Sequence, residues 1–322
     1  MKLDILKKIK IFIPYFFLIV FLFLIYFFYK SNYSSFSFLQ NFSFSIFSLL
    51  VILCFGYLIT EAFILKYILK YFNKNLNLLT SFFVMNTAYF FNTFLQFTGL
   101  GFRVFFFKKI YNVDISNFLI LSLFVILIEF YIFSLIGSLF FIIIYFSGLD
   151  LPISLFVKLV VYSINIFTLI VLIFNKKIYD FVVTILNLKN FIIMKKISLF
   201  YQNNTKNLNF FFIKFIPFFF MQFFLLFFIF LLAASIFSPE QPISFAIIAT
   251  IATDFSFIFT FTPQSIGISE AFVYFSSLNM GITFAQILFI INVFRLSTFC
   301  IYVIIGPIYF FYFSKRILIN DI

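Results

Sequence analysis

The feature that most constrains the fold of this chain is a series of long apolar stretches. Phe42–Thr60 and Phe215–Phe237, for example, contain no charged residue, and each is long enough to cross a bilayer as a helix. Hydrophobic residues make up 65% of the 322 residues and charged residues 10%, whereas soluble domains have roughly 45–50% and about 25%. A soluble globule cannot bury this much apolar surface. The sequence therefore predicts an all-α polytopic membrane protein.

The composition also excludes several kinds of chemistry. Histidine is absent, which removes the commonest general base and metal ligand. Cys54 and Cys300 lie in apolar runs without zinc-site spacing, and we interpret them as small core residues. The sequence contains no phosphate-binding glycine loop and no serine-nucleophile motif. We therefore expect no metal and no cofactor.

The net charge of +12 does not indicate nucleic acid. Lysines border the apolar stretches, as the positive-inside rule predicts for cytoplasmic segments. The lysine-rich start of the chain, and Lys315 and Arg316 near its end, place both termini in the cytoplasm. We expect Ile11–Tyr29 to be an uncleaved first span and the protein to lie in the plasma membrane.

Hydropathy predicts six full spans and two hairpins, within a total of about six to eight transmembrane helices. The six spans are Ile11–Tyr29, Phe42–Thr60, Ile115–Ser147, Ile153–Phe174, Phe215–Phe237 and Thr283–Phe313. Two basic segments are expected at the cytoplasmic surface. One is Glu61–Leu79, which carries a polar stripe at helical spacing, and the other is a loop of about residues 175–214 with an interfacial helix near Ile178–Phe200.

Two further apolar stretches predict re-entrant hairpins. Ser81–Phe97 is short and lies between basic residues on both sides, which argues against a full crossing and for entry from the cytoplasm. Phe245–Leu278 is interrupted by polar residues and a proline, in a region without Lys or Arg, and is expected to enter from outside. Helix packing is the alternative role for the glycines of such segments. The expected hairpin-turn residues are Gly99, Gly101, Pro263 and Gly267.

An internal repeat links the two halves of the chain. A shift of 167 residues places Arg103 on Glu270, and it places Asn112–Ser116 on Asn279–Thr283. The Asn and Ser/Thr matches carry more weight than Phe and Ile matches, because Phe alone occurs 65 times. Coincidence in a biased composition is the alternative explanation.

The same order of elements, a span, a hairpin and a long span, occurs in both halves of the chain. We infer a single membrane domain over residues 1–322, with one repeat at about 42–147 and the other at about 210–313. Because the two hairpins are expected to open to opposite sides, the repeats are inverted. Inverted repeats with broken helices are typical of transporters, whose binding site lies at the repeat interface.

Five charged residues within or beside the apolar segments need a reason. Each costs about 2.5–3.5 kcal/mol at the bilayer centre, so such residues usually pair or face a cavity. Each half holds one acid and one base at similar spacing, with the signs exchanged. Two structural ion pairs are one interpretation, and a lipid headgroup held between the hairpins is the other. The five residues are Arg103, Glu129, Asp254, Glu270 and Arg295.

Arginine is rare in this chain, with three occurrences among 22 basic residues. Arg316 is near the terminus, but Arg103 and Arg295 lie at the positions just described. A guanidinium makes bidentate contacts to phosphate or carboxylate that lysine cannot reproduce. We therefore select Arg103 and Arg295 as the residues that bind a lipid phosphate or clamp an acid.

These same residues carry a family resemblance. Phe97–Arg103, followed by Glu129 in the next helix, resembles the first conserved block of the lysylphosphatidylglycerol synthase transmembrane-region family, also called flippase-like domain proteins. Thr262–Glu270, followed by Gly281 and Arg295, resembles the second block. The resemblance covers most of the chain.

The resemblance implies lipid translocation. In two-domain relatives this membrane domain moves an aminoacylated phosphatidylglycerol between leaflets, and a soluble domain makes that lipid. We expect this chain to be a stand-alone member without the synthase domain, and so to perform no aminoacyl transfer. Stand-alone relatives often accompany glycolipid or polyprenyl-phosphate pathways, which implies a partner enzyme of lipid or glycan synthesis.

We therefore expect a flippase-like protein that moves an anionic or lipid-linked headgroup between leaflets, with membrane lipids as its ligands. Arg103 or Arg295 would contact the phosphate, and the acids would hold the arginines or bind a cationic headgroup. One alternative is a membrane enzyme of glycolipid or polyprenyl-phosphate metabolism, with Asp254 or Glu270 as the base. The other is an accessory subunit of such a pathway.

Overall fold

A computed structural model describes residues 43–95, 97–146, 213–236, 242–256, 265–277 and 280–320. These residues form helices and connecting turns, with no strand among them. The eight helices in this part of the chain are α1 Phe44–Tyr71, α2 Leu78–Phe94, α3 Thr98–Tyr111, α4 Ile115–Phe146, α5 Ile216–Ser235, α6 Pro242–Ser256, α7 Ile268–Ser276 and α8 Phe284–Asn320. The prediction of an all-α fold is confirmed.

Four of these helices, α1, α4, α5 and α8, are long and apolar enough to cross a membrane. They correspond to four of the six predicted spans, so the protein is a multi-pass membrane protein. The other predicted spans, Ile11–Tyr29 and Ile153–Phe174, lie outside the described residues. So do the expected interfacial helix near Ile178–Phe200 and the loop of about residues 175–214.

The predicted boundary after the second span is wrong. The sequence predicted that the span ends at Thr60 and that an interfacial segment begins at Glu61, but α1 continues as one helix to Tyr71. Its apolar face stays buried beyond Glu61, for example at Leu65 and Leu69. Burial of that face against neighbouring helices outweighs the local signal of the lysines. As a result Glu61 lies within a membrane-spanning helix.

Short polar side chains set the starts of several helices, where backbone N–H groups have no partner inside the helix. The Ser43 hydroxyl accepts from the N–H of Ile46 at 3.3 Å before α1, and Asn77 Oδ1 accepts from the N–H of Leu79 at 3.1 Å before α2. Asn112, with φ 52°, ends α3 in the left-handed conformation that Asn tolerates better than most residues. Asn77 and Asn112 thus separate α1 from α2, and α3 from α4, despite a nearly continuous apolar sequence.

Helix packing in the two halves follows one scheme. Helix α1 packs against α2, α2 against α3, and α3 against α4; correspondingly α5 packs against α6, α6 against α7, and α7 against α8. Between the halves, α2 of the first half packs against α8 of the second, and the corresponding α6 of the second half packs against α4 of the first. The helices α1 and α5, which also correspond, contact each other directly. Exchange of the halves therefore leaves this pattern unchanged, which is what a two-fold related repeat requires.

The interface of α2 with α8 joins residues far apart in sequence. Phe83 stacks on Tyr309 with ring centroids 5.2 Å apart, and the Thr87 hydroxyl donates to the Gly306 carbonyl at 3.3 Å, across 219 residues of chain. Gly306 has no room for a side chain, because a Cβ there would lie 2.6 Å from Phe90 Cβ. The lack of a side chain at Gly306 thus lets α8 approach α2, the first helix of the first hairpin, closely.

Candidate functional site

The acid and the base of the second half form a direct ion pair. Arg295 in α8 donates through Nη1 to Oε1 of Glu270, and through Nη2 to Oε2 at 3.2 Å, so the contact is bidentate. The side chains are 12% and 3% exposed, respectively. The same Nη2 reaches the Ser265 carbonyl at 3.2 Å and the Ser269 hydroxyl. The carboxylate therefore balances the charge of Arg295, and the carboxylate, a carbonyl and a hydroxyl accept hydrogen bonds from its guanidinium.

The start of α7 holds the carboxylate of Glu270 in place. Gly267 precedes the helix with φ 85°, and its N–H donates to Glu270 Oε2 at 2.8 Å. The Ser269 hydroxyl donates to the same oxygen at 3.0 Å. A carboxylate in the first turn also complements the partial positive charge of a helix N-terminus. This ion pair consequently ties α7 to α8 and closes the second hairpin onto the last helix.

The base of the first half, Arg103 in α3, has a different environment. Its Nη1 lies 3.8 Å from Met85 Sδ, a weak acceptor, and its Nε is buried without a hydrogen-bond partner. In the described part of the chain, no carboxylate lies within 4.0 Å of it. The acid whose charge acts on Arg103 is Glu61 of α1, and the predicted pairing of Arg103 with Glu129 is not found.

Glu61 is an acid of this candidate site that the sequence pattern did not identify. Gln222 in α5 is fully buried and donates through Nε2 to Glu61 Oε1 at 2.5 Å. The hydroxyls of Tyr57 and Tyr89 also lie beside Glu61 and act on its carboxylate. The signal that could have found it is a single acid with apolar residues on both sides. We assigned that acid to the membrane surface because lysines follow it.

Glu129 in α4 and Asp254 in α6 are the other two acids of this group. The charge of Asp254 acts on Glu129, and the charge of Glu61 acts on both. Next to them, Phe130 stacks on Phe255 with ring centroids 5.6 Å apart, which fixes α4 against α6 at this level. Asp254 is 5% exposed, and its Oδ2 has no hydrogen-bond partner in the described structure.

We call these residues the central polar cluster, because six helices, α1 to α6, contribute to it. Its members are Tyr57, Glu61, Tyr89, Arg103, Glu129, Gln222 and Asp254. Three of its buried polar atoms have no partner among the described residues: Arg103 Nε, Gln222 Oε1 and Asp254 Oδ2. Buried polar atoms are normally satisfied, so this concentration makes the central polar cluster the candidate binding site. Within the described residues, no group of three His, Cys, Asp or Glu is arranged to hold a metal ion.

Aromatic contacts connect the central polar cluster to the part of α8 that carries the ion pair of the second half. The ring of Tyr57 meets that of Phe294 at 6.3 Å between centroids, and Phe230 meets Phe294 at 5.6 Å. Phe294 immediately precedes Arg295 in α8. The five predicted site residues are therefore divided into two groups: Arg103, Glu129 and Asp254 in the cluster, and Glu270 with Arg295 in the ion pair.

The expected hairpin-turn residues do not all make turns, and the prediction for Gly99 and Gly101 is wrong. The turn of the first hairpin is made by Phe97, with φ 66°, whereas both glycines lie inside α3. Gly99 is instead required for packing: a Cβ there would lie 2.1 Å from the Ala88 carbonyl oxygen. Gly267 has the positive φ expected of a turn residue. Pro263 lies outside the described residues.

A separate cavity of about 510 Å³ lies at the base of the first hairpin. Residues of α2, α3 and α8 line it, mostly aromatic and aliphatic, including Phe83, Phe106, Tyr309 and Tyr312. None of the predicted site residues lines it. The cavity is therefore distinct from the central polar cluster.

The fold and site together define a multi-pass membrane protein with two helical hairpins around buried ionisable residues. The chain belongs to the family described as lysylphosphatidylglycerol synthase TM region, whose model matches residues 11–306. No curated protein and no solved structure gives a match. The family makes this a membrane protein of lipid metabolism or transport, in agreement with the resemblance carried by the two sequence blocks.

Proposed function

We propose that this protein translocates an anionic phospholipid or lipid-linked headgroup between the leaflets of the plasma membrane. The observation that carries the proposal is Arg103, a half-buried arginine in a helix bundle, which among the described residues has no close counterion and no partner for its Nε. Charged residues at this depth are costly and mark substrate paths when they are retained. A lipid phosphate would supply both the countercharge and the missing acceptor.

The two arginines have different roles in this proposal. Arg103 binds the phosphate, and Glu61 stabilises the guanidinium when no lipid is present. Arg295 is occupied by Glu270 and Ser269, so it holds the second hairpin in place instead of contacting lipid. The acyl chains remain in the bilayer while the headgroup passes through the central polar cluster. Partner enzymes of lipid or glycan synthesis would make or use the translocated lipid.

The test of this function is transport by the purified protein in vesicles. Vesicles of phosphatidylcholine would contain a trace of phosphatidylglycerol with a fluorescent acyl label, and an impermeant reductant would bleach the label on the outside. Wild-type protein should expose the inner pool to bleaching, and Arg103→Ala should behave like protein-free vesicles. Lys108→Ala is the matched control, because Lys108 is an exposed cation on the same helix. Wild-type vesicles that bleach no further than protein-free vesicles would refute the proposal.

We also propose that the two hairpins open to opposite sides, with both termini in the cytoplasm. In a variant without Cys54 and Cys300, single cysteines would be placed at Leu95, which is 60% exposed, and at the half-buried Ile266. Ser265 is unsuitable because it is fully buried. An impermeant thiol reagent should label Leu95→Cys only from the cytoplasm and Ile266→Cys only from outside. Labelling of both from one side would contradict the inverted arrangement.

A further inference from the structure

The central polar cluster contains three acids and one cation. Glu61, Glu129 and Asp254 come from α1, α4 and α6, and Arg103 from α3. Within the described part of the chain, the charges acting on Glu129 and Asp254 are those of other acids. Three carboxylates that act on one another inside a helix bundle, where the dielectric constant is low, cannot all stay ionised against one arginine.

Asp254 gives independent evidence that protons are held here. Its side chain is 95% buried, and Oδ2 has no donor among the described residues. An ionised carboxylate in that position would lack both solvent and a counterion, whereas a protonated carboxyl is neutral. Gln222 Oε1 is a second buried acceptor without a donor beside the cluster. Protonated acids can supply such donors.

The remaining ionised acid, Glu61, depends on Arg103. The other groups that face it are neutral donors: Gln222 from α5, Tyr89 from α2 and Tyr57 from its own helix. From α7 and α8, Glu270 and Arg295 form their own ion pair. Among the described residues, Arg103 is therefore the cation that balances the charge of Glu61, and it cannot balance a second anion at the same time.

We infer that binding of an anionic headgroup to Arg103 is coupled to uptake of one proton by Glu61. When a phosphate oxygen pairs with the guanidinium, Glu61 loses its counterion inside the bundle, and its carboxylate takes a proton from water. One negative charge and one positive charge then enter together, so the loaded site is electrically neutral. This inference rests on the proposed function, and it identifies protonation as the step that lets a charged headgroup enter the bundle.

The test is proton uptake on lipid binding by the purified full chain in detergent. A short-chain phosphatidylglycerol is added in weak buffer with a pH indicator, and its binding is measured separately by calorimetry. Wild-type protein should take up about one proton for each lipid bound. A short-chain diacylglycerol, which lacks the phosphate, should cause no uptake. The affinity for phosphatidylglycerol should weaken as pH rises, by up to about tenfold per pH unit, because a proton enters with the lipid.

Glu61→Gln distinguishes this coupling from a structural role. The variant should bind the lipid with an affinity independent of pH and take up no proton, because Arg103 is then free of its internal counterion. Asp114→Asn is the control, since Asp114 is an exposed acid at the start of α4, and it should behave like wild type. Lipid binding without proton uptake in the wild-type protein, or undiminished uptake in Glu61→Gln, would overturn the coupling alone. Absence of lipid binding in the wild-type protein would overturn the proposed function together with it.

Discussion

Corresponding helices in the two halves carry an arginine and an acid, but the two pairs differ in their contacts. In the second half, Arg295 and Glu270 meet directly, and serine and backbone groups complete their hydrogen bonds. In the first half, Arg103 faces Glu61 of another helix across a longer distance, and Glu129 faces Asp254. One half has closed its charges into a structural clamp, whereas the other, in the proposed function, keeps them available to a lipid headgroup.

The largest effect should come from breaking the clamp. Arg295→Ala leaves Glu270 buried and unpaired, and we expect it to lower the free energy of unfolding by about 3–5 kcal/mol. Arg103→Ala should cost clearly less, because no carboxylate in the described part of the chain lies close to that arginine. Denaturant unfolding in detergent, followed by circular dichroism, compares the two. Replacement of both partners, as Glu270→Leu with Arg295→Met, should recover most of the loss, and equal losses for Arg295→Ala and Arg103→Ala would remove the distinction between the halves.

The next effect concerns the support of Glu61 by Gln222. Gln222→Leu removes a buried donor from a charged acceptor, which should lower the free energy of unfolding by about 1.5–3 kcal/mol. The same unfolding measurement applies, with the transport assay in parallel. Unchanged stability would indicate that Tyr57 and Tyr89 satisfy Glu61 without Gln222.

The two hairpins also use glycine for different reasons, and the first depends on close packing. Gly99→Ala should lower stability by about 1–3 kcal/mol, as overpacking does, because the new Cβ would meet the Ala88 carbonyl. Gly101→Ala is the matched control, since a Cβ there meets nothing within 4 Å and alanine favours the helix. Equal stability of the two variants would show that α2 and α3 are less tightly packed than described.

The second hairpin depends on conformation. A Cβ at Gly267 meets nothing within 4 Å, but φ is 85° there, so Gly267→Ala should cost about 1–2 kcal/mol through backbone strain alone. The loss should be smaller than that of Gly99→Ala in the same unfolding experiment. A neutral Gly267→Ala would imply that α7 begins differently, and with it that Glu270 is held less firmly.

The sequence predicted the helices better than it predicted the side-chain contacts between them. Apolar length and flanking lysines were enough for the helical class and the described spans, because insertion into a bilayer depends on local composition. The pairing of Arg295 with Glu270 was also accessible, because both lie in the second hairpin and the helix that follows it. Glu61 and Gln222 were not, because their contact joins α1 to α5 across 161 residues of chain. Gly99 was selected for the wrong reason, since its role depends on the proximity of Ala88.

The packing of α2 against α8 has a consequence for how the protein is made. Thr87 and Gly306 are 219 residues apart, and ribosomes add roughly 5–20 residues per second. About 10–45 seconds therefore pass during synthesis between the appearance of the first hairpin and that of α8, the helix it packs against. Throughout that interval its asparagines and threonines, and the guanidinium of Arg103, have neither α8 nor the second half beside them. A slower supply of α8 would lengthen the time for which these polar groups lack their native neighbours.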